Sequence, residues 1–592
     1  MQGKPTRTLQ QVPLKSSGHW SKNNLKLINM SASARSRAQE SRTAVERLYI
    51  AMRHLFIRGS YKPLGLSGEA MIEALMMLRP EIYGSITDPE RIELDGLLYI
   101  FQRLPKGIEE CRFVRLISRE GFENSNFETL VPPKRKRNCY RIDGEQMFIE
   151  MTRGRSDIYD ILTHLTFMYV ESEKIRRNSQ DHKGRKNREW EMLEKAVEKE
   201  EAGEAFDMEV ALTYLSTLLG RTYQETQDAA RRFAADENCN SLFHIVYWLG
   251  HLSFEEFNHK NDREISFSFA LREKIGHHVY GGLWASNIKA AILEHGWLKR
   301  PIHIISANLH SFMNYLYAPA ALKRLAKPVP FEELAKELSL EGNAPMRETV
   351  KDWALRNGMI QLDDTSGTNI SVQLFDLAKI NPDTLHPDIR WDTEKIRQQQ
   401  PIMLVMDYAF GEQAYESFDE LFKPFEKAEG RQYLNIASLS IMGKAGILEG
   451  AKGDLMVPTA HVFEGTADNY PLDNQFSKKD FEGFGLKVFE GPMITVLGTS
   501  LQNRDILSYF LHSSWKAIGL EMEGAHYQKA IQAASRIRNN IPPDVPIRYA
   551  YYASDNPLET GGTLASGSLG MEGVKPTYLI TLKILDSILA DL

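Results

Sequence analysis

Ile402-Met403-Leu404-Val405-Met406 marks the point where the pattern of the chain changes. Five apolar residues in a row after Pro401 suit a short buried strand. Beyond them, short apolar runs alternate with helical stretches. Ile436 to Met442 reads as a second strand, running into Gly443-Lys444-Ala445-Gly446. Asp454 to Pro458 is a third and Met493 to Leu497 a fourth. Ala517 to Leu520 and Ile547 to Ala553 are two further runs, each ending at acidic residues. Tyr527 to Arg536 and Thr577 to Leu589 have the spacing of covering helices. Alternation of this kind predicts an α/β domain over residues 401–592, with its functional residues beyond the carboxyl ends of the strands.

Working towards the N-terminus, residues 377–400 carry Pro382, Pro387 and a polar run, and read as a linker. Residues 328–376 predict two helices, Phe331 to Leu338 and Arg347 to Asn357. Two alternating stretches follow, Met359 to Leu362 and Asn369 to Leu374, giving a winged-helix-like module. Its second helix mixes Arg347, Lys351 and Arg356 with Glu348 and Asp352, which suits packing better than reading a DNA groove. Residues 41–327 predict a mainly α-helical region of unassigned function. Ala44 to Arg58, Ser67 to Leu78 and Asp157 to Val170 show helical spacing, and the charged segment 173–205 reads as a solvated face. His277, His278, His303 and His310 have no carboxylate or thiol at ligand spacing, so they are expected to be structural and no metal is expected. Residues 1–40 are polar and basic and read as a disordered tail.

A chain of 592 residues implies about two to four domains. Its net charge of −6 gives no basic field for nucleic acid, so that partner is not expected. Three separated cysteines fit a reducing compartment, and a cytoplasmic location is expected. No signal peptide and no membrane span are expected, because no apolar run reaches the roughly 18 residues a span requires.

Two acidic motifs end the last apolar runs: Gly519-Leu520-Glu521-Met522-Glu523-Gly524-Ala525 and Tyr551-Tyr552-Ala553-Ser554-Asp555-Asn556-Pro557. Each also fits a plain structural role. Asp-Asn-Pro is good turn chemistry, and Glu521 and Glu523 suit the first turn of a helix. In order along the chain, Gly443-Lys444-Ala445-Gly446-Ile447-Leu448, Gly453-Asp454-Leu455, Glu521-Met522-Glu523-Gly524-Ala525 and Ser554-Asp555-Asn556 resemble the nucleoside phosphorylase and nucleosidase superfamily. The likeness is closest to AMP nucleosidase and methylthioadenosine/S-adenosylhomocysteine nucleosidase, and covers the C-terminal third.

The resemblance implies a C-terminal domain of nucleoside-phosphorylase type that breaks the N-ribosidic bond of a purine nucleoside or nucleotide, AMP-like substrates being favoured. Such cleavage leaves an oxocarbenium-like sugar and an electron-rich base, so a general acid assists departure. By resemblance Asp555 is that acid, next to Ser554. Glu523 accepts from the ribose hydroxyls, Met522 packs on the sugar, and Glu521 stands beside them. Lys444, Ala445 and Gly446 border the ligand in a Gly-rich turn, and Glu412 activates water. Superfamily phosphorylases carry an arginine shortly before the Gly-x-x-Gly turn. Here that region is Ser438 to Met442, which favours water over phosphate, with Lys444 as a compensating cation. No cofactor is implied, and a homo-oligomer is. A phosphorylase of the same fold and a non-catalytic nucleotide sensor or scaffold remain as alternatives.

Overall fold

The computed structural model describes residues 22–325, 329–427, 430–466, 468–559 and 569–592. The expected disordered tail falls in part on residues 1–21, which lie outside the described residues. From Lys22 onward the chain is helical, in one helix that runs to Arg58. Its buried side, with Val45, Leu48, Met52 and Leu55, packs into the core of the N-terminal half.

That half is not wholly helical. Six short strands, β1 (Ser60–Tyr61), β2 (Phe113–Ile117), β3 (Glu128–Leu130), β4 (Cys139–Arg141), β5 (Gln146–Glu150) and β6 (Glu264–Phe267), form one sheet in the order β1-β6-β2-β5-β4-β3. Helical spacing elsewhere in the region hid them, because runs of two to five residues are too short to show an alternating pattern. The helix Gly154–Asn178 is buried over most of its length, including Ile158, Ile161, Leu162 and Leu165. It lies against the helix Leu242–His259.

The second sheet begins a hundred residues earlier than the sequence suggests. Its strands are β7 (Ile302–Ser306), β8 (Met359–Leu362), β9 (Val372–Asp376), β10 (Ile402–Met406), β13 (Ile436–Ile447), β14 (Leu455–Phe463), β15 (Asn469–Pro471), β16 (Val488–Thr495), β17 (Gly519–Glu521) and β18 (Ile547–Asp555). A separate hairpin, β11 (Phe425–Lys427) and β12 (Gly430–Gln432), stands outside it. β7 runs parallel between β10 and β13, and all five of its residues are buried. His303 within it meets Ser438 Oγ through Nδ1 at 2.7 Å, while its Nε2 is buried without a hydrogen-bond partner.

The helix pair and hairpin of residues 328–376 exist, but the hairpin is not free-standing. β9 pairs antiparallel with β10 along its whole length, from Val372 opposite Met406 to Asp376 opposite Ile402. All five β9 residues are buried, so the winged-helix-like unit is continuous with the sheet. Residues 377–400 then form short helical turns and the helix Thr393–Gln399 before the chain enters β10.

Five of the strands close on themselves. β13 pairs with β18, β18 with β14, β14 with β16, β16 with β17, and β17 returns to β13. Closure pairs both sides of every ring strand; β7, β10, β9 and β8 extend the sheet from β13, and β15 adds to β14. Among the described residues no helix is long and apolar enough to cross a membrane.

Candidate active site

The mouth of the strand ring gathers several C-terminal strand ends. A cavity of about 390 Å³ opens there, lined by Gly443 to Gly446 of β13, Leu520 and Glu521 of β17, and Ser554 of β18. Met522, Glu523 and Tyr527 complete that wall, while Ser306 and Tyr408 enter from the ends of β7 and β10. Residues Lys444, Ala445, Gly446, Glu521, Met522, Glu523 and Ser554, all expected to border ligand, are therefore brought together. Asp555 lies one residue beyond Ser554, opposite Gly446 in the register, and is 8% exposed.

The segment Gly443 to Gly446 is not a turn. It continues β13, with an irregularity in the register between Ala445 and Gly446. Gly443 is needed for packing, because a Cβ there would lie 2.4 Å from the Tyr551 ring on the paired strand. Tyr551 is itself fixed by His461 Nε2 at 3.0 Å from its hydroxyl.

The two glutamates differ in what holds them. Glu521 accepts from Thr495 Oγ1 and from the backbone N–H groups of Glu523 and Gly524. It therefore ties β17 to β16 and shapes the start of the helix Gly524–Gln532. Glu523 accepts from the Gly411 N–H at 2.9 Å. Burial pushes Glu521 up to about 7, and burial together with the Glu521 carboxylate pushes Glu523 up to about 8. Ser554 Oγ lies 3.1 Å from the Ala445 carbonyl and within hydrogen-bonding distance of Asp555 Oδ1. Lys444 is within electrostatic reach of Asp555.

Glu412 is not brought to this cavity. It lines a neighbouring one of about 280 Å³, and its carboxylate pairs with Arg155 at 3.0 Å. The chain turns at Gly411 between the two, with φ +56° and no room for a Cβ beside Ser156 Oγ. Phe410 faces the first cavity and Glu412 the second.

The fold also makes a carboxylate and histidine group that spacing did not reveal. His278, Asp419 and Glu420 place ligand atoms within 4.8 Å of one another. Lys423 pairs with both acids, at 3.3 and 2.6 Å, and Arg538 with Asp419, so these carboxylates are already neutralised.

A family model matches residues 69–340 and 337–590, nearly the whole described chain. The chain belongs to DUF6909, a family of unknown function. No curated protein matches this DUF6909 chain. Among solved structures, it is similar to the 5'-methylthioadenosine/S-adenosyl homocysteine nucleosidase of Campylobacter jejuni, at 14% identity and TM-score 0.29, over 49% of this chain and 99% of that one. It is also similar to the futalosine hydrolase of Helicobacter pylori strain 26695, at 11% identity and TM-score 0.29, over 48% and 97%. A third is the nucleosidase of the first kind from Colwellia psychrerythraea 34H, solved with adenine, at 12% identity and TM-score 0.28, over 50% and 96%.

In this DUF6909 member the first cavity has walls that sequence reading missed. Tyr99, Arg103 and Arg135 come from the N-terminal half, and Thr499 from the loop after β16. Arg135 belongs to the run Lys134-Arg135-Lys136-Arg137, which is visible in the sequence but has no motif to tie it to a strand end 300 residues away.

The buried acids give the DUF6909 chain a defined pH response. Burial pushes Glu416 and Glu523 up to about 8, and Glu171, Glu464 and Glu521 up to about 7. Folding keeps protons on these groups that the unfolded chain has released, so stability falls as pH rises through 7 to 8. Buried His164, His303, His461 and His526 are pushed down to about 3 and act oppositely, but only below their unfolded value of 6.5. Between pH 6.5 and 8 the glutamates decide the sign. Thermal midpoints are expected to drop across that interval, at about 1 kcal/mol per pH unit for each group still protonated. A flat or rising midpoint would show that these carboxyls are ionised in the fold.

Proposed function

We propose that the chain is an N-ribosyl hydrolase that cleaves the glycosidic bond of a purine nucleoside or nucleotide and releases the free base. The observation that carries the reading is the meeting of the Gly443–Gly446 segment, the Glu521–Glu523 motif and Ser554 in one cavity, with Asp555 at its border. These segments come from three strands of a closed ring, and their order along the chain is that of the nucleosidase motifs they resemble. Asp555 is proposed to protonate the departing purine, with Ser554 orienting its carboxyl. Glu523 is proposed to accept from the ribose hydroxyls, and charge-assisted bonds strengthen as its carboxyl ionises. Met522 offers an apolar surface to the sugar.

Glu412 has no place in this constellation, because Arg155 holds it on the other side of the Gly411 turn. An oxocarbenium-like carbon is a strong electrophile, so water can capture it once the base has left. The α/β half is proposed to be of nucleoside-phosphorylase type on the strength of the motifs.

The test is to incubate the purified protein with AMP, adenosine, methylthioadenosine and inosine, with and without inorganic phosphate, and to follow free base by chromatography. Base release without phosphate is the expected result. Release only with phosphate would make the chain a phosphorylase. No release from any substrate would end the proposal.

A further inference from the structure

Arg103 is an anomaly in the wall of the first cavity. Its residue is 5% exposed, yet among the described residues no carboxylate lies within ion-pair distance of it. Nη1 donates to the Tyr99 carbonyl at 2.8 Å, the guanidinium lies 3.4 Å from the Tyr99 ring centre, and Nε is buried without a partner. Its neighbour Arg137 shows the usual solution, with Asp157 and Asp160 both at 2.7 Å. A buried guanidinium lacking a counter-charge is costly unless a ligand brings one.

Arg103 has company. Arg135, in the same wall, binds Asp160 through Nε and Nη2, while its Nη1 makes only a 3.2 Å bond to the Lys134 carbonyl. Lys444 enters from β13. The acids of the lining are Glu521 and Glu523, both held towards the neutral form by burial. Arg103 is thus a cation of the lining with no carboxylate partner among the described residues, and both it and Arg135 are planar guanidinium forks suited to phosphate oxygens.

We propose that this cavity takes a phosphate group, held by Arg103 and Arg135, and that the phosphate is the substrate's own, making a purine nucleoside monophosphate the preferred substrate. The inference rests on the proposed function and narrows it. It also gives the N-terminal half a task, since both arginines come from that half.

Cleavage of AMP and of adenosine, each with and without inorganic phosphate, tests it in the wild type and in Arg103→Met and Arg103→Lys. Wild type is expected to prefer AMP. Arg103→Met is expected to lower the AMP-to-adenosine ratio of kcat/KM by roughly 10–150-fold, the worth of a hydrogen bond to a charged group. Arg103→Lys should recover part of the ratio, and it serves as the test if the methionine variant does not fold. An unchanged ratio would overturn the proposal. So would adenosine cleavage that requires inorganic phosphate, with a phosphate KM raised in Arg103→Met, because the site would then serve the free anion. If wild type cleaves nothing, the hydrolase reading fails separately. Calorimetric titration with AMP and adenosine then decides the subsite. Tighter AMP binding lost in Arg103→Met would support it, and equal or absent binding of both would overturn it.

Discussion

Asp555→Asn is expected to cut base release by roughly 10²–10⁴-fold, the usual contribution of a positioned general acid. The amide preserves the shape of the carboxyl and can still face Ser554 Oγ, but it cannot deliver a proton to a departing purine. Asp555 ends β18 opposite Gly446, within reach of Lys444. The backbone there is fixed by pairing and not by the carboxyl itself. Loss of turnover should therefore come with a nearly unchanged melting temperature and little change in nucleotide affinity. A variant that keeps near-normal turnover would remove Asp555 from the mechanism. Loss of both folding and turnover would mark the residue as structural.

The second large effect lies outside the catalytic residues. Arg137→Met is expected to destabilise the N-terminal half by about 3–5 kcal/mol, the cost of breaking a buried ion pair from one side. The Arg137 side chain is 1% exposed, and it bridges Asp157 and Asp160 on the helix Gly154–Asn178. Methionine fills much of the same volume, so the effect would come from charge and not from a void. Asp160 would keep Arg135, and Asp157 would keep Arg153 at 3.1 Å, so the half should still fold. The loop carrying Arg135 would lose one of its two arginine anchors, and activity on phosphorylated substrate should fall as well. Urea unfolding monitored by tryptophan fluorescence measures the first effect. A midpoint within error of wild type would show that the cluster is already relaxed by water.

The legibility of this chain followed the length of its elements. Ile402–Met406 was readable because all five residues are apolar and buried. The acidic motifs were readable because short, chemically distinct strings survive at strand ends. β17 is only three residues long, and the apolar run Ala517 to Leu520 overlaps just Gly519 and Leu520 of it before the acidic motif begins. The early start of the sheet was harder to see. β7 looks like any strand-and-turn segment until its partners are known, and those partners lie beyond the 328–376 hairpin. Gly443 suggests a turn in the sequence, whereas in the fold it continues a strand and its lack of a Cβ makes room for Tyr551. Glu412 is implied only by the resemblance, and a single glycine with positive φ, Gly411, turns it into the adjoining cavity. Arg103 and Arg135 could not be inferred at all, because nothing local ties them to residues 443–555.

The position of β7 also bears on how the protein is made. It is sandwiched between β10 and β13, so Ile302, Ile304 and Ile305 have no sheet partners until residues 402–447 have left the ribosome. At about 5–20 residues per second, that wait lasts from several seconds to roughly half a minute. Throughout it an isoleucine-rich strand is exposed on a nascent chain, a form prone to pairing with other chains. Yield in the cell should then depend on chaperones that shield this segment, more than on the stability of the finished fold.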